Sequence, residues 1–557
     1  PALVTFAGLL GAFAAGSEAL AQNKGWWPAV FRDATRVTVI HLDVTVTDRA
    51  GRPVHGLEKE DFQLFEDGEP VEISHFLAVE GGSTRMATGG GEEESGEAAT
   101  APEPERRLHL VVFFDNSNLT IRGRLRALSR LRELLHEDWR PETRATLVGN
   151  ERALVVRQPF TSDPELFLAA LGGLIEEIEG LVVDVATANL RAEGPGALEV
   201  DSSSGVEAEA HIRSTLRILG RLVDSVAALP GRKVVLYVSD GLDLRPGEEL
   251  VEGHGSHFEL LPGTTNVIAP QLEAVRYDFT EDLLELVARA NAGRTTFYTL
   301  NSFVHGFARR DSVESRTGFW NLEPASSHEN NTRDSLIRLA EDTGGRAARS
   351  DLEIDRLLED VFLDFDNHYS LGYVAGESEI GSERELEVRV RRPDLEVHHR
   401  STFRAKSEEE KLEERTLSAL GGDLVANPLG IDVEAREQNP DGEGRFEVSL
   451  LVKVPLGKLV LLPGEREHRA RIVLFLATRD QRGRTSPIVK HLCPVRIPNS
   501  QVLVAKGRTA ACGIRLSMRG GRQTVAVSVR DELASVDSTV QIVLDVGGVA
   551  EEAEAAL

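Results

Sequence analysis

Apolar and polar positions change their period along this chain, and each change marks an expected domain. Between Val37 and Phe76 they alternate strictly: VTVIHLDVTVTD reads as a half-buried strand, RAGRPV as a turn, and GLEKEDFQLFEDGEPVEISHF as further strands broken at Asp67-Gly68. This predicts a small β module over residues 36–78. Residues 79–105 lose all periodicity and fill with Gly, Ser, Thr, Ala and Glu, a composition that buries no core, so a disordered acidic linker is expected there. From residue 106 short apolar runs alternate with helical patterns. LHLVVFF precedes LRALSRLRELLHED, whose leucines at 125, 128, 131, 134 and 135 share one helical face. ATLVGN, ALVVRQ, KVVLYVSDG and TTFYTL read as strands among further helices. Such alternation predicts an α/β fold, a doubly wound, Rossmann-like sheet with helices on both faces. Residues 424–546 return to strands and turns and predict a C-terminal β-sandwich.

The run Leu108–Phe114 delivers Asp115 and Ser117 to the carboxyl edge of the expected sheet, where open α/β sheets bind ligands. The helix after it carries Arg122, Arg124, Arg126, Arg130 and Arg132 early and Glu133, Glu137 and Asp138 late, the reverse of what the helix dipole favours. Those arginines need compensation, from a carboxylate partner or from acids elsewhere in the chain.

Two stretches carry a family resemblance. VTVTDRAGRPVHGLEKEDFQLFEDGEPVEISHF resembles the amino-terminal signature of exported bacterial proteins with a von Willebrand factor A-related domain, a group abundant in acidobacteria. Residues 333–405 repeat that group's later order: a helix ending in Thr-Gly-Gly, a second helix, a strand ending in Leu-Gly-Tyr and a closing β-pair. The resemblance implies a von Willebrand A-like domain over 106–405, closing strands included. It also implies a metal site built from an Asp-x-Ser-x-Ser loop, a Thr on a second loop and an Asp on a third. Asp115 and Ser117 match the first two positions, Thr161 in QPFTSD the Thr, and Asp240 in YVSDG the second Asp. Leu119 stands where a third hydroxyl is expected and offers no oxygen; Asn118, Thr120 and Asp243 are the neighbours able to replace it. Oxygen ligands of this kind suit Mg²⁺, with Mn²⁺ or Ca²⁺ as alternatives. The competing reading is a degenerate domain whose Asp115 and Asp240 cap turns and helix starts.

Composition bounds the function. A net charge of -27, from 90 acids against 63 bases, argues against nucleic acid or an anionic membrane as partner. Residues 1–21 are expected to be an incomplete signal peptide, an apolar run closed by Ala19-Leu20-Ala21, too short to span a bilayer. Export to the periplasm, cell surface or medium is therefore expected, with no transmembrane segment in the mature chain. Cys493 and Cys512 either pair in that setting or remain two buried thiols. His254 and His257 have a spacing that could hold a metal with Glu252 or Glu259, or belong to a surface loop. HExxH, GxSxG and Walker patterns are absent, so no enzyme is expected. The sequence thus points to an exported adhesion or binding protein whose metal ion, held by Asp115, Ser117, Thr161 and Asp240, bridges to an acidic side chain of a protein partner. A metal-independent scaffold of the cell envelope is the alternative.

Overall fold

The computed structural model describes residues 39–87, 107–119, 121–151, 153–191, 204–246, 278–301, 325–348, 353–374, 381–422, 426–442 and 444–547. The expected signal peptide, His254, His257, Thr120 and the acidic C-terminal end lie outside them.

The chain opens with five strands: β1 (Val39–Asp48), β2 (Phe62–Glu66), β3 (Glu69–Val71), β4 (Ile73–Glu80) and β5 (Ser83–Ala87). The last of these corrects the expected start of the linker at residue 79. Gly81 and Gly82 take positive φ of 56° and 74°, turning the chain back so that Ser83 pairs Glu80 and β5 runs against β4. Read as composition these glycines signal a tether, whereas their backbone freedom serves a tight turn. Residues 88–105 of that linker lie outside the described residues.

Next comes the α/β domain. Its elements are β6 (Leu108–Phe114), α1 (Ile121–Asp138), β7 (Thr143–Asn150), β8 (Leu154–Thr161), α2 (Pro164–Arg191), α3 (Ser204–Ala227) and β9 (Arg232–Val238). They continue with α4 (Thr280–Ala292), β10 (Thr295–Leu300), α5 (Ala325–Glu341), β11 (Ala347–Ala348) and α6 (Ile354–Asp366). The sheet order is β11-β10-β9-β6-β7-β8, parallel except that β8 runs antiparallel to β7. Every residue of β6 is buried, as expected of a central strand covered on both faces. Leu108, Leu110, Val112 and Phe114 pack with Leu128, Leu131 and Leu135 of α1 and with Leu357, Leu358 and Val361 of α6 on one face. Val111 and Phe113 pack on the other with Leu219 of α3, Leu286 of α4 and Leu339 of α5. The winding reverses between β6 and β9, so a crevice is expected at their carboxyl ends.

The arginines of α1 find acids in part. Arg130 bonds both Glu133 and Asp355 of α6, while Arg124 turns back onto the Asn116 carbonyl at 2.8 Å. Arg124 is half-buried, so burial lowers its pKa while Asp115, Glu151 and Glu177 raise it.

Four strands follow: β12 (His368–Val374), β13 (Glu383–Val390), β14 (Leu395–His399) and β15 (Thr402–Arg404). They correct the expected boundaries of both the 36–78 module and the 106–405 domain. Rather than closing the α/β unit, they pair with the opening strands, Leu371 opposite Leu42 and Val388 opposite Leu64. Sheets β14-β1-β12-β4-β5 and β15-β13-β2-β3 share a core of Leu42, Val44, Phe62, Phe76, Tyr369 and Tyr373. The α/β domain is therefore inserted between β5 and β12 of one sandwich. Alternation identifies a strand but not its partner some 300 residues away.

A helix α7 (Glu408–Ala419) leads to the last domain. Ser407 caps it reciprocally with Glu410: the Ser407 hydroxyl accepts from the Glu410 N–H at 3.1 Å, and the Glu410 carboxylate from the Ser407 N–H at 2.7 Å. Then come β16 (Asp432–Gly442), β17 (Arg445–Pro455), β18 (Leu462–Pro463), β19 (Glu467–Asp480), β20 (Val489–Pro498), a short helix α8 (Val502–Ala505), β21 (Thr509–Arg519), β22 (Gly521–Asp531) and β23 (Val536–Val546). One sheet runs β16-β17-β21 and the other β18-β19-β22-β23, with β20 also on β19. Val448, Leu450 and Val452 of the first interlock with Ile472, Leu474, Val525 and Val527 of the second. Cys493 on β20 and Cys512 on β21 form a disulfide, Cα–Cα 6.1 Å, tying the two sheets together.

Candidate binding edge

The crevice between β6 and β9 is built around Asp115, whose side chain is fully buried. The β6 strand ends in apolar residues that anchor it, and the next residue is the acid, held by its own N–H to the Val238 carbonyl at 3.1 Å. Donors from three strand ends converge on the carboxylate. Asn150 Nδ2, at the end of β7, donates to Oδ1 at 2.9 Å. Oδ2 accepts from Asn118 Nδ2 and the Tyr237 hydroxyl, both at 2.7 Å, and from the Ser239 hydroxyl at 3.3 Å. Burial and the Asp115 charge push the Tyr237 phenol well above its ordinary pKa, so it stays a donor. From α3, His211 Nε2 lies 2.8 Å from Asn118 Oδ1, and Thr215 Oγ1 lies 3.4 Å from both Asn118 Nδ2 and Asn150 Nδ2. Flipping the Asn118 amide would set its oxygen against the carboxylate and forfeit the His211 contact, so the network fixes its orientation.

The four residues expected to hold a metal do not assemble. Asp115, Ser117 and Asp240 do share the carboxyl edge, where the Asp240 N–H donates to the Asn118 carbonyl at 2.8 Å; Ser117 is exposed and Asp240 half-exposed. Thr161 is at the other end of the sheet. β8 returns antiparallel from the β7 hairpin, so Thr161 pairs Ala145, which is level with Leu110. Five residues of strand separate that level from Asp115, about 17 Å. Leu119 is buried among the α1-side apolar residues and supplies no ligand. Among the described residues no group of three or more His, Cys, Asp or Glu side chains is arranged to hold a metal.

The chemistry of the donor set decides the fit. A carboxylate offers about four lone-pair directions, and here four protein donors point at it. A Mg²⁺, Mn²⁺ or Ca²⁺ ion at Asp115 would have to displace these donors, two of them amide N–H groups that ligate no cation. The residues present do not fit the ion, and Asp115 is instead the acceptor that gathers the ends of β6, β7 and β9. Sequence reasoning missed Asn150, Tyr237, Ser239 and Thr215. The available signals were a polar Asn closing the apolar run ATLVGN and a Tyr inside KVVLYV, since both put hydrogen-bonding groups where a buried strand has no use for them.

No protein-family model and no curated protein matches the chain. Among solved structures, the three N-terminal domains of the type V pili tip protein Mfa5 from Porphyromonas gingivalis align at 9% identity and TM-score 0.25, over 91% of this chain and 77% of that one. The vWF domain of the same protein aligns at 12% identity and TM-score 0.23, over 46% and 93%. BatB from Bacteroides thetaiotaomicron aligns at 13% identity and TM-score 0.21, over 46% and 98%. Likenesses at these scores carry no functional argument. No helix among the described residues is long and apolar enough to cross a membrane.

Proposed function

We propose that the chain is an exported binding protein whose α/β domain contacts a protein partner through the loops at the carboxyl edge of its sheet, without a metal bridge. One observation carries this: the buried Asp115 carboxylate takes four protein donors, Asn150 on Oδ1 and Asn118, Tyr237 and Ser239 on Oδ2. The loops at this edge are thereby fixed by protein hydrogen bonds, leaving Ser117 and Asp240 at the surface. A partner with basic or amide groups complements the Asp240 carboxylate at this edge better than an acidic one does. Export is supported by the disulfide between the sheets of the C-terminal sandwich, since such bonds persist in oxidising compartments. No catalytic step forms part of the proposal.

The second reading, an envelope scaffold contacted through its β domains, draws on exposed apolar residues. Val489 and Leu492 on β20 are 40% and 48% exposed, and Leu503 and Val504 of α8 are 87% and 63% exposed. Pull-down from an envelope fraction separates the two. Capture that survives chelator and is lost in Asp240→Arg but kept in Leu492→Glu supports the edge; the opposite pattern supports the scaffold. Capture abolished by chelator and restored by Mg²⁺ sinks the metal-free mechanism.

A further inference from the structure

Arg400 lies between β14 and β15, at the junction of the first sandwich with the base of the α/β domain, and is 8% exposed. Its guanidinium reaches across that junction. One terminal nitrogen donates to the His41 carbonyl of β1 at 2.6 Å and the other to the Asn291 carbonyl of α4 at 2.7 Å. Both acceptors are neutral, and among the described residues no carboxylate is bonded to it. The Phe403 ring, 5.7 Å away, offers a weak cation-π contact. Buried charges are ordinarily paired, because removing an ion from water is costly unless another charge offsets it. Burial lowers the Arg400 pKa to about 10, which still leaves it charged at neutral pH.

A cavity of about 30 Å³ adjoins this group. Three polar atoms of residues lining it are buried without any hydrogen-bond partner: Arg400 Nε, the Thr295 hydroxyl and Asn291 Oδ1. Asn291 and Thr295 are each 1% exposed. The Asn291 orientation is set, since its amide nitrogen donates to the Asp342 carbonyl and to the Thr402 hydroxyl, both at 3.0 Å. Arg232, Arg294 and Asp43 also line the cavity. Asp43 is bonded to Arg294 at 2.8 Å, and although burial works the other way, Arg294, His368 and Arg232 hold its carboxyl well below the usual range. With three arginines against one aspartate, the lining is net positive. Exposed His41 and the half-exposed Arg294 stand at its rim and give a route to solvent.

We propose that this cavity binds a chloride-sized inorganic anion, which bridges the sandwich and the α/β domain. The ion accepts from Arg400 Nε–H and from the Thr295 hydroxyl, adding a hydrogen-bonded anion to the Coulomb attraction the guanidinium already feels from Asp43. The cavity is large enough to admit water, and a water beside the ion donates to Asn291 Oδ1. Two donors, one N–H and one hydroxyl, suit a monatomic anion better than the four oxygens of a tetrahedral oxyanion. The site is independent of the carboxyl edge: it occupies the opposite end of the sheet and shares no residue with the Asp115 network.

The test is ³⁵Cl NMR line broadening on the full chain in gluconate buffer. Wild type broadens the line, bromide displaces the effect, and sulfate at matched ionic strength does not. Arg400→Gln, with the same backbone fold by circular dichroism, loses the broadening. If Arg400→Gln fails to fold, Thr295→Val keeps side-chain shape, removes one donor and weakens chloride binding about tenfold. Broadening that is absent in wild type, or equal in wild type and the folded variant, overturns the proposal and leaves the cavity to water.

Discussion

The Tyr237 hydroxyl donates to Asp115 at 2.7 Å, joining the carboxyl end of β9 to the end of β6 across the point where the sheet reverses its winding. Both groups are buried, so neither can exchange its partner for water. Tyr237→Phe removes a hydrogen bond to a charged acceptor and should destabilise the protein by about 1.5–3 kcal/mol. Asp115→Ala strands several donors at once and should cost at least as much. Urea unfolding measures both; equal midpoints for wild type and Tyr237→Phe would remove Asp115 from its role as organiser of the edge.

The same four donors predict silence toward divalent metals. Calorimetric titration of Mg²⁺, Mn²⁺ or Ca²⁺ should give no binding heat, and melting curves should coincide with and without chelator. Asp240→Ala should behave as wild type does. A metal-dependent rise in Tm that disappears in Asp240→Ala would restore the metal-bridged mechanism implied by the family resemblance.

How far the sequence could be read depended on the range of the interaction. Local periodicity was enough for β6, for the leucine face of α1 and for the alternating strands of the C-terminal sandwich, because each is set by burial within a few residues. Pairing between Leu42 and Leu371 was illegible, since any strand with a matching apolar face would satisfy the same pattern. At the edge, Asp115 and Asp240 could be placed because each follows a buried strand directly. Thr161 was misplaced for a reason of direction: β8 also ends there, but it runs antiparallel, and an apolar run does not state which way it points. Whether Asp115 meets a cation or donors depended on Asn150 and Tyr237, on other strands, which only the tertiary fold brings to it.

Lys233 gives a prediction in pH. It is 4% exposed, its ammonium donates to the Leu229 carbonyl at 3.0 Å, and burial, with Arg294 and Lys406 adding to it, lowers its pKa to about 7. The unfolded value is about 10.4. Between about 7 and 10.4 the unfolded chain therefore holds the extra proton, so stability should rise with pH across that window. Lys233→Met should flatten this rise and stabilise the protein at pH 7 by ~1–3 kcal/mol, after the lost carbonyl bond. Denaturant midpoints from pH 6 to 10 decide it; parallel curves for the two proteins would place the lysine charge elsewhere.

Histidines predict lability on the acid side. His109, His368 and His398 are each held at about 4, by burial first and then by neighbouring arginines. Their folded values lie below the unfolded 6.5, so the unfolded chain takes up protons first as pH falls from 6.5 to 4, and stability falls with it. Wild type should lose stability steadily over this range, and His109→Gln should lose it less steeply. His109 sits edge-on to Phe160 with ring centroids 5.4 Å apart, so some packing is lost as well. The slope against pH, rather than the midpoint, carries the test.

The disulfide gives the most local prediction. Cys493 and Cys512 are 19 residues apart, and the short helix α8 between them packs little of its surface. Closing a loop of that length restricts the unfolded chain by about 3 kcal/mol in the chain-entropy account. The link also crosses between sheets: among the described strands β20 pairs with β19, while β21 pairs with β17 on the other sheet. The hydrogen bonds of each sheet therefore do nothing to hold β20 against β21, and the covalent bond supplies that tie. A Cys493→Ala/Cys512→Ala pair should lower the unfolding transition of the C-terminal sandwich by about 3 kcal/mol, leaving the α/β transition where it was. Hydrogen exchange should then rise first in β20 and the Asn499–Ala505 segment. Exchange rising equally in β6 and β9 would instead make the bond a determinant of the whole molecule's stability.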